Sequence, residues 1–202
     1  MNLQTTFTTR IQKALPYILI ICGVIGFLAS FVLTTEKFQQ IQDASYVPPC
    51  NINSLLSCGS VMKTEQASVF GFANSLLGIA GFTVVTTVGF AMLAGAKFKR
   101  WFWLGLNAGL LLAVIFVHWL AFEAIYEIQA LCIWCMVVWV VSIASLWYVT
   151  IHNLETEVIP VYGRTKGIVS FLQRNHVTLL VLWYLVILAA ILQHFWPRIT
   201  GV

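Results

Sequence analysis

The sequence predicts an all-α integral membrane protein with five membrane-spanning helices. Only 9% of its 202 residues are charged and its mean hydropathy is +0.89, whereas a soluble domain is about a quarter charged. Its apolar residues fall in five stretches, each of about 20 residues, the length that spans a bilayer as a helix. The net charge is +4, and the charged residues lie in the gaps between these stretches. This distribution is typical of residues that set the orientation of membrane helices rather than of a nucleic-acid-binding surface.

Each apolar stretch, taken in chain order, is long enough to cross the hydrocarbon core of about 30 Å as a helix. Open strands are excluded, because lipid leaves their backbone N–H and C=O groups without partners. The predicted spans are residues 14–33, 70–94, 101–122, 130–150 and 177–196.

The lysines and arginines predict which side of the membrane each gap faces, since cytoplasmic loops carry the excess of basic residues. Eight lie on the side of the N-terminus, and three (Lys37, Lys63 and Arg198) lie on the other. We therefore expect a multi-pass protein of the plasma membrane with a cytoplasmic N-terminus. The eight inner residues are Arg10, Lys13, Lys97, Lys99, Arg100, Arg164, Lys166 and Arg174.

The first outer gap, about residues 35–69, is long and polar. A loop of this length without structure of its own is uncommon unless it has a function. It contains Cys50 and Cys58, and Pro48-Pro49 stiffens the approach to Cys50. Residues 64–70 are predicted to form a short helical stretch before the second span.

Four of the five cysteines fall on the outer side, where disulfides persist. Cys132 and Cys135 start the fourth span, and residues three apart share one helix face, so their thiols can meet. The positive end of the helix dipole lowers the pKa of a nearby thiol, which favours thiol–disulfide exchange. This spacing predicts a redox pair, to which Cys50 and Cys58 could carry electrons from a flexible segment.

Other interpretations of these residues remain open. The C-x-x-C pair could be structural, the loop cysteines could form a stabilising disulfide, or all four could bind zinc. Cys22, in the middle of the first span, is interpreted as a small buried apolar residue. His118, in the middle of the third span, is either a site residue or a histidine packed against a neighbouring helix. A non-enzymatic bundle stapled by two disulfides is the corresponding alternative function.

Three motifs together resemble the vitamin K epoxide reductase (VKOR) family: Cys50-x7-Cys58, FGFANSLLG at residues 70–78, and CIWC at residues 132–135. The resemblance covers about residues 14–150. It implies a four-helix transmembrane bundle around a quinone pocket, here joined by a fifth transmembrane helix. Residues 1–150, with the extracytoplasmic loop at about 35–69, would form the catalytic core. Residues 151–202 would form a cytoplasmic connection and the fifth helix.

The resemblance also implies a quinone-dependent thiol–disulfide oxidoreductase that supports disulfide-bond formation. Electrons would pass from a thioredoxin-like protein through two cysteine pairs to a quinone of the menaquinone or ubiquinone type. Cys50 would take electrons from the partner, Cys58 would exchange with Cys132, and Cys135 would face the quinone. The implied quinone-binding residues are Asn74, Thr64, Phe70, Trp139 and Cys135.

Departures from the family pattern bear on the substrate and the partner. Animal enzymes have a tyrosine four residues after the second active cysteine, and Trp139 stands there in this chain. This favours ordinary quinone reduction over the alternative, vitamin K epoxide reduction. No thioredoxin-like domain follows the fifth span, so we expect a separate DsbA-like thiol oxidase as partner. The DsbB type of oxidase is disfavoured, because its C-x-x-C lies in the first outer region.

Overall fold

The computed structural model describes residues 3–160 and 165–200, and all regular elements within these ranges are helices. Five of the helices are long and apolar enough to cross a membrane, which confirms the predicted fold class. The spans are α1 (Leu3–Gln42), α3 (Ser75–Leu93), α4 (Arg100–Phe122), α5 (Ile133–Glu155) and α7 (His176–Thr200), and the shorter helices are α2 (Cys58–Met62) and α6 (Thr165–Arg174).

Helices α1, α3, α4 and α5 form the bundle: α1 packs against α3 and α5, and α5 also packs against α4. Glycines allow the close approach of α1 to α3. A Cβ atom added at Gly23 would overlap Thr86, and one added at Gly26 would overlap the ring of Phe82. In lipid, where there is no hydrophobic force between helices, such small residues provide tight backbone packing.

Helix α1 continues to Gln42, well beyond the predicted end of the first span at residue 33. The residues that follow Leu33 are too polar for lipid, yet they contain no proline or glycine to stop the helix. Thr34 fixes part of this extension, because its hydroxyl oxygen lies within hydrogen-bond distance of Ser75 Oγ, at 2.7 Å. The loop between α1 and α2 therefore begins near residue 43 rather than 35.

Two other span boundaries also differ from the prediction. The second span begins at Ser75 rather than at residue 70, since Gly71 has a φ of +80° that a helix does not allow. The fourth begins at Ile133 rather than at residue 130, because Leu131 pairs with Leu55 and Ser57 and Cys132 is extended, with a φ of −110°. The short helical stretch expected at 64–70 is confirmed as a 3₁₀ helix, Glu65–Ser68.

The fifth span, α7, packs on the outside of the bundle against α5 and the π-helical turn Glu123–Glu127. Trp183 Nε1 donates to His118 Nε2 at 3.0 Å, and His118 Nδ1 lies 2.8 Å from the Val114 carbonyl oxygen. Phe195 is fully buried beside Val117. Of the two interpretations of His118, the structure confirms a packed histidine bonded to a neighbouring helix.

Candidate redox site

The loop cysteines form a disulfide, Cys50–Cys58, with Cα atoms 5.7 Å apart. A short hairpin between them sets this geometry: Asn51 pairs with Ser57 in antiparallel fashion, and Ile52 N–H donates to the Leu56 carbonyl at 2.9 Å. Ser57 then caps α2, accepting a hydrogen bond from the Ser60 N–H. Cys58 is therefore the first residue of a helix rather than part of a flexible segment.

The backbone on either side of residue 56 pairs with the segment that precedes the C-x-x-C motif. Leu131 N–H donates to the Leu55 carbonyl at 2.7 Å, and Ser57 N–H donates to the Leu131 carbonyl at 2.9 Å. Both segments run in the same direction in this pairing. The next residues along the two segments are Cys58 and Cys132, so the pairing places the two cysteine pairs side by side.

One apolar cluster contains both cysteine pairs. Cys58 and Cys132, with 0% and 1% of their surface exposed, are buried in it together with Met62. Cys50 and Cys135 pack against the cluster and remain partly exposed. Each pair therefore has one fully buried cysteine and one partly exposed cysteine.

Cys132 is the N-cap of α5, just before the membrane-spanning residues, and Cys135 lies in the first turn. The Cys135 thiol hydrogen-bonds to the Cys132 sulfur and holds the pKa of Cys132 below its ordinary value, although burial opposes this effect. Cys132 is therefore the thiol of the pair that ionises first, and a thiolate is the form that attacks a disulfide.

A cavity of about 880 Å³ lies between α3 and α4 and reaches the C-x-x-C pair. Most of its lining is apolar, and its volume falls within the range of about 300–1,000 Å³ usual for ligand pockets. The sequence-predicted quinone contacts all line this cavity: Thr64, Phe70, Asn74, Cys135 and Trp139.

Asn74 closes the loop before α3 through its side-chain amide. Its Nδ2 donates to the Gln66 carbonyl at 2.7 Å, and its Oδ1 accepts from Val69 N–H at 3.2 Å. An asparagine amide has two N–H donors, so one remains for a ligand in the cavity. Sequence reasoning assigned Asn74 to ligand binding alone, and the structure adds this loop-closing role.

The other predicted lining residues come from different elements. The Thr64 hydroxyl donates to the Val61 carbonyl at 2.8 Å, which leaves its oxygen lone pairs as acceptors. Phe70 reaches across to Phe116 of α4, with ring centroids 5.7 Å apart, and so covers one side of the cavity. Trp139 is buried on α5, one turn below Cys135.

The structure also adds residues that sequence reasoning did not place in the site. Lys37 lines the cavity, although the predicted boundaries left it in the outer loop. Arg198 of α7 donates to the Gln129 carbonyl at 3.0 Å, in the turn before Cys132. The signal for Lys37 was its spacing from Leu33, four residues earlier, which puts both on one helix face. The sequence carries no local signal for the bond between Arg198 and Gln129.

The remaining candidate features lie outside this arrangement. Cys22 is buried with Phe82 and Val141 in a separate cluster, consistent with its interpretation as a small apolar residue. Within residues 3–160 and 165–200, no group of three or more His, Cys, Asp or Glu side chains is placed to hold a metal ion.

Fold and site together define a class of protein: a helical membrane protein that places a disulfide beside a dithiol at the mouth of an apolar cavity. The sequence model of the vitamin K epoxide reductase family matches residues 17–150. The chain belongs to this family, whose members are membrane oxidoreductases. No curated protein matches the chain.

Proposed function

We propose that this protein is a membrane thiol oxidase that transfers electrons from a thioredoxin-like partner, through its two cysteine pairs, to a quinone. One observation carries the proposal. The backbone pairing of Leu131 with Leu55 and Ser57 brings the loop disulfide next to the C-x-x-C pair, which itself borders the apolar cavity. Electrons can therefore pass from water-accessible thiols to a lipid-soluble acceptor without a large rearrangement.

The proposed electron route follows the exposure of the four cysteine residues. A partner dithiol would reduce the Cys50–Cys58 disulfide, starting at the partly exposed Cys50 and becoming oxidised itself. The thiols of Cys58 and Cys50 would then reduce a Cys132–Cys135 disulfide through a Cys58–Cys132 mixed disulfide. Finally, the dithiol of Cys132 and Cys135 would return to a disulfide, and its two electrons and two protons would go to the quinone, giving the hydroquinone.

The polar and apolar groups that line the cavity fit a quinone. One free N–H of Asn74 and the apolar walls match a flat ring with carbonyl oxygens at its edge. Gly81, Gly105 and Gly109 also line the cavity, and a Cβ added at any of them would meet no atom within 4 Å. This open strip between α3 and α4 would hold the apolar tail of a quinone. The quinone supplies the electron acceptor, and the protein supplies position and hydrogen bonds.

The basic residues support a plasma-membrane protein with a cytoplasmic N-terminus and all four redox cysteines on the extracytoplasmic side. One of the counted residues, Arg164, lies outside the described residues, but the asymmetry does not depend on it. On that side a separate DsbA-like thiol oxidase would be re-oxidised at Cys50. Trp139 in place of the family tyrosine supports ordinary quinone reduction rather than reduction of vitamin K epoxide.

The test is quinone reduction by the purified protein in detergent, with a reduced thioredoxin-like protein or a small dithiol as donor. We expect turnover that Cys135→Ala abolishes. The matched control is Cys22→Ser, which removes a buried thiol from a different cluster and should retain turnover. Cys50→Ala should block reduction by the protein donor while sparing reduction by the small dithiol.

Two results would contradict the proposal. Absence of turnover with both benzoquinones and naphthoquinones, from either donor, would favour a bundle stapled by disulfides without enzymatic function. Normal oxidation of the protein donor by Cys50→Ala would show that the loop pair is not on the electron route.

A further inference from the structure

Lys37 has an unusual position for a charged residue in this protein. Ser30, Leu33 and Lys37 are spaced three and four residues apart on α1, and all three line the cavity. The helical extension of α1 beyond Leu33 thus carries Lys37 over the outer end of the cavity, on the face that points to the thiols.

Among the described residues that line the cavity, Lys37 is the only charged side chain, and no carboxylate lines it. Its ammonium group donates to the carbonyl of Met62, the last residue of α2. Met62 in turn packs in the cluster that contains Cys132 and Cys135. An ammonium group has three N–H donors, so two remain after the bond to Met62.

We propose that Lys37 is a catalytic residue that stabilises the negative charge on the quinone oxygens during electron transfer, and this rests on the proposed quinone reduction. The Cys132–Cys135 dithiol loses two electrons and two protons when its disulfide forms, and the quinone gains both. Electrons that reach the quinone ahead of the protons place negative charge on its oxygens. Lys37 is partly exposed at the outer end of an apolar cavity, where a cation is screened less than in bulk water and so stabilises such charge more.

A purely structural role would need only the hydrogen bond to Met62. Lys37→Gln keeps a donor for the Met62 carbonyl but removes the charge, and Lys37→Arg keeps both. The two variants therefore separate the charge from the hydrogen bond. If the charge matters, Lys37→Gln should lower kcat for quinone reduction by about 10- to 100-fold, the range for hydrogen bonds to charged groups. Lys37→Arg keeps the charge and should therefore retain more of kcat than Lys37→Gln.

Ligand binding provides a readout that does not depend on turnover. The probes are 2-hydroxy-1,4-naphthoquinone, which is an anion at neutral pH, and 2-methyl-1,4-naphthoquinone, which is neutral. Their affinities can be measured by quenching of tryptophan fluorescence, with Trp139 in the cavity wall. We expect Lys37→Gln to weaken binding of the anion by about tenfold or more and to leave binding of the neutral quinone unchanged.

Each result either supports or overturns the inference. Equal loss of both probes, or equal kcat for Lys37→Gln and Lys37→Arg when both fall, would show a structural role and overturn it. Wild-type kcat in Lys37→Gln would overturn it as well. If the wild type reduces no quinone at all, the proposed function fails and the inference fails with it. If the wild type does reduce quinone, the variants test the role of Lys37 alone.

Discussion

The pairing between the loop and the C-x-x-C segment can be tested at one backbone atom, the amide nitrogen of Ser57. Ser57 is 7% exposed, its N–H donates to the Leu131 carbonyl at 2.9 Å, and its φ is −142°. Proline has no N–H and holds φ near −65°, so Ser57→Pro removes this bond and moves the local backbone. Contact between Cys58 and Cys132 should be lost as a result.

The matched control is Ser57→Ala, which removes the same hydroxyl and its cap to α2 but keeps the N–H. Loss of the cap costs about 1 kcal/mol. Removing the backbone donor leaves the Leu131 carbonyl unpaired, which costs about 1–3 kcal/mol more. A further cost of about 2 kcal/mol corresponds to a roughly 30-fold smaller population of the paired arrangement.

The assay uses a Cys50→Ala, Cys135→Ala background, in which Cys58 and Cys132 are the adjacent thiols left at the site. Its readout is the rate of Cys58–Cys132 disulfide formation under a mild oxidant, followed by mass spectrometry. We expect Ser57→Pro to be roughly 30-fold slower than Ser57→Ala. Equal rates in the two variants would refute the role of the backbone pairing. Quinone reduction by a small dithiol, measured with all cysteines present, should survive in Ser57→Pro and shows that the bundle is folded.

Three further predictions concern other parts of the molecule. The hydrogen bond from the Cys135 thiol holds the pKa of Cys132 below its ordinary value, so Cys135→Ala should raise the pKa of Cys132. Alkylation of Cys132 should then require a higher pH, and an unchanged profile of alkylation rate against pH would contradict this cause. Trp183→Phe leaves His118 Nε2 without its donor and should lower the free energy of unfolding by about 1 kcal/mol in a detergent titration, with no further loss when His118→Leu is added. Gly109→Leu should raise KM for a long-tailed quinone several-fold but not for a tail-free analogue, and equal effects on both would place the tail elsewhere.

The spans and the C-x-x-C motif were predictable because they depend on local sequence. A stretch of apolar residues can cross lipid only as a helix, and the C-x-x-C spacing alone puts two thiols close together. The structure places Cys132 just before the helix rather than on one helix face with Cys135. The helix ends were less predictable, because they depend on turn conformations and distant partners. The start of α5, for example, is delayed to Ile133 because Leu131 pairs with Leu55 and Ser57, more than seventy residues earlier in the chain.

The site residues also divide into those that the sequence predicts and those that depend on distant contacts. The family motif assigns Asn74, but its bonds to Gln66 and Val69 arise from a loop whose path only the structure shows. Lys37 was missed because a polar sequence after an apolar stretch predicts a loop, whereas α1 continues as a helix to Gln42. Helix propensity extended the element, and packing against α2 then determined where the ammonium group lies.

The sequence alone determined that this chain spans a membrane five times and carries a C-x-x-C pair at the end of one span. Both conclusions rest on local sequence, namely the length of each apolar stretch and the spacing of two cysteines. The tertiary structure decided that Cys58 lies beside Cys132, that α3 and α4 stand apart around a cavity, and that Lys37 reaches it. These features depend on contacts between segments far apart in the chain, and their geometry follows from how whole helices pack.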